Sequence, residues 1–80
     1  MDKKYYVLVR QKGDNWVTLQ PVMYGEEDPS KMEDFKMDLE LAKRARKGLE
    51  AYDYEVFFLE DSPRQPHVFL TEEILKRVKS

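Results

Sequence analysis

The chain is expected to fold as a single small α+β domain, in the order β-β-α-β-β-α. Three or four antiparallel strands form a sheet, one long amphipathic helix covers one face, and a short helix closes the chain. Two segments of the 80 residues, Tyr5–Val9 and Tyr54–Glu60, are dense in the aromatic and β-branched side chains that suit a pleated surface. Between them, Leu39–Tyr52 repeats apolar residues at helical spacing, and clusters holding glycine or proline punctuate the rest. Eighty residues leave room for one core.

Tyr5–Val9 has no proline or glycine to interrupt a ladder, so it reads as the first strand, centrally placed. Gln11-Lys12-Gly13-Asp14-Asn15 then marks a hairpin turn, with Gly13 free to take a positive φ and Asp14 or Asn15 able to bond the main chain. Trp16–Gln20 alternates, with Val17 and Leu19 on one face and Trp16, Thr18 and Gln20 on the other. Pro21 removes a ladder donor, which assigns this second strand to an edge. Tyr24–Asp34 is acidic, interrupted by Gly25 and Pro29, and reads as a long loop with a helical turn after Pro29. Phe35 and Met37 fit either a short edge strand or an early start of the helix; its beginning between Ser30 and Leu39 is left open.

The helix is marked by Asp38, an N-cap acceptor whose charge suits the dipole. At about 100° per residue counted from Leu39, the residues Leu41, Ala42, Ala45, Gly48, Leu49 and Tyr52 share an arc of about 120°. The small residues Ala42, Ala45 and Gly48 on this stripe imply close docking on the sheet. Four consecutive apolar residues in Tyr54–Glu60, the third strand, cannot all face one side, so both faces need cover there. Asp61–Pro66 is a turn-rich connector, and His67–Leu70 fits a short fourth strand. Thr71 can cap a terminal helix with Glu72 and Glu73 in its first turn and Lys76, Arg77 and Lys79 in its last. A right-handed crossover through the long helix gives the sheet order 2-1-3.

Composition excludes several function classes. Zero cysteines rule out a disulfide framework, a thiolate nucleophile and sulfur-ligated metal, and favour a reducing, cytoplasmic setting. No apolar run approaches the length of a membrane span, so no membrane partner is expected. Fourteen basic against sixteen acidic residues give a net charge of -2, which argues against a general polyanion binder but allows a local basic patch. His67 is the only histidine, and no serine or threonine has nucleophile-elbow glycine spacing, so neither catalytic machinery nor a metal or other cofactor is expected. Glu26, Glu27 and Asp28 lack the alternating spacing of a calcium loop. The two prolines of Pro63-Arg64-Gln65-Pro66 read as a stiffened turn more readily than as a proline-helix ligand.

The sequence therefore points to a non-enzymatic interaction or regulatory module. It is expected to bind a protein partner, or itself as a homodimer, through the sheet face opposite the long helix and an exposed strand edge. Trp16, Tyr6, Thr18 and Phe57 are the expected contact residues, tryptophan being enriched among residues that dominate interfaces. The alternative is nucleic-acid binding through Lys43, Arg44, Arg46 and Lys47, expected together on the outer side of the helix. Glu40 and Glu50 stand three and four residues from this run, so ion pairing within the helix explains the pattern without a ligand. Partner, oligomeric state and pathway are not encoded in any of these patterns.

Overall fold

A computed structural model describes residues 3–21 and 35–79. The elements are β1 (Lys4–Gln11), β2 (Trp16–Leu19), β3 (Met37–Asp38), α1 (Leu39–Glu50), β4 (Tyr54–Leu59), β5 (His67–Phe69), α2 (Glu72–Arg77) and β6 (Val78–Lys79). The sheet runs β5-β2-β1-β4-β6, every pair antiparallel, with β3 paired to the start of β1. The acidic loop expected over Tyr24–Asp34 lies outside the described residues.

The expected order of the three main strands, with the first in the middle, is the one observed. Gly13 makes the hairpin turn at φ 85°, closed by the Asp14 amide donating to the Gln11 carbonyl at 3.0 Å. The Trp16 amide donates to Asp14 Oδ1 at 3.1 Å, so a side chain supplies the acceptor at the strand start. Pro21 does not leave β2 at an edge. Val17 and Val68 are partnered, and β5 takes the outer position. Met37 and Asp38 form β3, which settles the open helix start: Asp38 Oδ1 accepts from the Leu41 amide at 2.8 Å and α1 begins at Leu39.

Two apolar layers sandwich the sheet. Val7, Met37, Ala42 and Phe58 pack with Tyr5, Val9, Ala45 and Val56 beneath α1. On the reverse face Tyr6, Leu8, Val17, Leu19, Phe35 and Leu59 are buried against Phe57, Val68, Leu70, Ile74 and Val78. Burying one such leucine stabilises the fold by about 1.5–3 kcal/mol. Thus β1 and β4 are apolar on both sides because both sides are covered, as Phe57-Phe58 required.

Several expectations need correction. The helix stops at Glu50, Gly48 is exposed, and Tyr52 is 79% exposed beyond the last turn, so the buried stripe is narrower than the wheel implied. Arg46 is not on the outer side: its guanidinium lies 3.9 Å from the centre of the Phe58 ring. Neither ion pair among the described residues, Lys3–Glu60 and Arg10–Glu55, lies within α1. Lys79, assigned to the last turn of the terminal helix, belongs to β6. Most consequentially, the face opposite α1 is not free, because the chain's own tail and Phe35 cover it.

Candidate interaction surface

Residues directly opposite one another in an antiparallel pair project to the same face. Val9 is opposite Thr18, so Thr18 and Trp16 share the face that carries α1, as do their partners His67 and Phe69 on β5. The helix packs chiefly on β4, β1 and β3. On the other half of that face, built by β2 and β5, the side chains of Trp16, Thr18, His67 and Phe69 are exposed.

There the side chains form a cluster. The His67 ring stacks on Trp16 with centroids 5.0 Å apart and planes within 3°, while Phe69 meets Trp16 edge-on at 5.4 Å. Thr18 Oγ1 lies 3.0 Å from His67 Nδ1, which holds the imidazole in place. Trp16 is 44% and Phe69 49% exposed. Three rings thus stand in water on a hydrogen-bonded strand pair, an arrangement that retains affinity for apolar or π-bearing groups at little further ordering cost.

The four expected contact residues separate. Trp16 and Thr18 belong to the exposed cluster. Tyr6 is 2% exposed, packed in the reverse-face core with Lys36 Nζ 5.5 Å from its ring, and offers no surface to a partner. Phe57 is half-buried beneath Arg10, whose guanidinium lies 5.7 Å from the ring. That guanidinium is held by Glu55 Oε2 at 3.0 and 3.2 Å and by the Asp14 carbonyl at 2.8 Å. A fixed cation therefore covers the ring. Phe69 and His67 were missing from the expected set. Their signal was the alternation of His67-Val68-Phe69-Leu70 against Trp16-Val17-Thr18-Leu19, which acquires meaning only once Val17 and Val68 are paired.

Of the basic run, Lys43, Arg44 and Lys47 are exposed and Arg46 is tied to Phe58. A separate open cleft lies between the hairpin turn and the C-terminal end of α1, lined in part by Lys12, Glu50, Asp53 and Glu55. Among the described residues no group of three His, Asp or Glu side chains is placed to hold a metal ion, and no helix is long and apolar enough to cross a membrane. Compared with protein-family models, curated proteins and solved structures, the chain matches none.

Proposed function

We propose that this chain is a non-enzymatic protein-interaction module that binds an extended protein segment beside β5, with Trp16 and Phe69 as anchors and Thr18 and His67 as polar contacts. The observation that carries this reading is the exposed Trp16–His67–Phe69 cluster on the half of the sheet that α1 does not cover. Large rigid rings give contact area at low entropic cost, and a sheet edge beside them can supply main-chain hydrogen bonds. The Thr18 hydroxyl and His67 imidazole are both exposed, and among the described residues no wall excludes water from a reacting centre there. That favours recognition over catalysis.

A display library of random extended peptides tests the proposal. Selected binders should lose at least about tenfold in affinity on Phe69→Ala or Trp16→Ala. They should be unaffected by the Lys43→Glu/Lys47→Glu pair, which would abolish a nucleic-acid function of α1. Binding should also protect the β5 amides from hydrogen exchange. Failure to enrich any binder sensitive to Phe69 and Trp16 would remove the basis of the reading.

A further inference from the structure

The edge beside the aromatic cluster has a definite hydrogen-bonding pattern. Leu19 donates its amide to the Pro66 carbonyl at 2.7 Å, and Leu70 donates to the Asn15 carbonyl at 2.7 Å. With Val17 opposite Val68, the ladder alternation turns the main-chain groups of residues 66, 68 and 70 inward to β2. The N–H and C=O groups of His67 and Phe69 therefore point outward, symmetrically about Val68, along an edge that pairs with no other strand among the described residues. Such an edge is a template for another strand.

The charges at its two ends differ in sign. Arg64 precedes β5, while Glu72 and Glu73 follow it in the first turn of α2; all three are exposed. None of the three belongs to an ion pair among the described residues. A parallel neighbour of identical sequence would set like charges together. An antiparallel one would bring the arginine end of each copy to the glutamate end of the other.

We propose that the segment bound at this edge is β5 of a second copy of this chain, paired antiparallel about a two-fold axis at Val68. The inference rests on the reading above and supplies its occupant. His67 of each copy faces Phe69 of the other in a hydrogen-bonded pair, so the outward groups satisfy one another. The two aromatic clusters meet on one face as a continuous strip. The interface is isologous, and the pairing closes the β5 edge in both copies. Because β5 has only three residues, the contact is small and the dimer is a weak, concentration-dependent one.

The absence of any native cysteine permits a clean test. Val68 would face its own symmetry mate in a non-hydrogen-bonded pair, where Cα atoms approach to about 4.5 Å, within disulfide reach. Val68→Cys should give a covalent dimer under mild oxidation, and Lys12→Cys on the hairpin turn should not. A second arm reads the charges by native mass spectrometry. Arg64→Glu and Glu72→Arg should each weaken the homodimer about tenfold or more. Mixing the two variants should restore pairing as a heterodimer, because both contacts in the mixed pair join opposite charges. Phe69→Pro, which removes an outward donor and leaves the β2 ladder bonds intact, should abolish both signals.

A wild-type chain that stays monomeric in sedimentation at roughly 1 mM, with no Val68→Cys cross-link, overturns the dimer. If peptides sensitive to Phe69 still bind, only the second copy as occupant is wrong. If they do not, the interaction reading falls as well.

Discussion

Arg46 shows how far one side chain can depart from its place on a helical wheel. It stands between Ala45 and Lys47 in a run that suggests a wholly solvated basic face, yet its guanidinium lies over the Phe58 ring. A flexible stem lets the charge reach water while the planar head covers an aromatic surface. Arg46→Ala should lower stability by about 1 kcal/mol in urea unfolding, from lost packing and cation–π attraction. Lys47→Ala should change it by less than about 0.5 kcal/mol. His67 is the matching case on the sheet. As the only histidine, at the start of a short strand, it carries no local sign of a partner, but its ring stacks on Trp16 and its Nδ1 meets Thr18, contacts made across 49 residues or more of sequence.

At the scale of elements, periodicity and the Asp38 cap located α1, while its start stayed open until β3 fixed it at Leu39, and the wheel overstated what the helix buries. Ala42 is the only fully buried residue of α1. Gly48 is exposed, and a methyl group added there would meet nothing within 4 Å. Close docking therefore does not explain this glycine, and nothing else in the structure does. Gly48→Ala should stabilise the protein by up to about 1 kcal/mol, the difference in helix propensity, visible as a higher urea midpoint at unchanged m-value. The β5 strand lies at the other extreme. Three residues carry too little pattern to reveal an edge, and Pro21 suggested the wrong one. A proline just beyond a strand end removes no bond from the ladder within it.

At the scale of the whole molecule, the governing fact is which half of which face the chain covers. The tail from Ser62 onward is anchored by Arg77 Nη2 donating to the Ser62 carbonyl at 3.1 Å, and Ile74 packs against the reverse-face core. Introducing charge at Ile74 should therefore be costly, whereas Leu75 is 48% exposed. Ile74→Asp should lose about 2–4 kcal/mol in chemical unfolding, and Leu75→Asp less than about 0.5 kcal/mol. Equal losses would mean that α2 does not roof the core. Because that roof exists, the exposed apolar side chains of the sheet itself, Trp16 and Phe69, lie on its helix side rather than on the reverse.

By itself the sequence determined the local choices: the segments of the three main strands and of β5, where the hairpin turns, where each helix is capped, and that both faces of the central strands are covered; it left β3 open and read β6 as helix. These follow from alternation, helical spacing and short-range hydrogen bonds, all written within a few neighbouring residues. Only the tertiary structure decided that Tyr6 is core, that β2 is internal, and that His67 and Phe69 join Trp16 on open ground. The pleat phase of β2 relative to β5, and the reach of α1 across the sheet, depend on contacts between residues far apart in sequence. No local pattern records them.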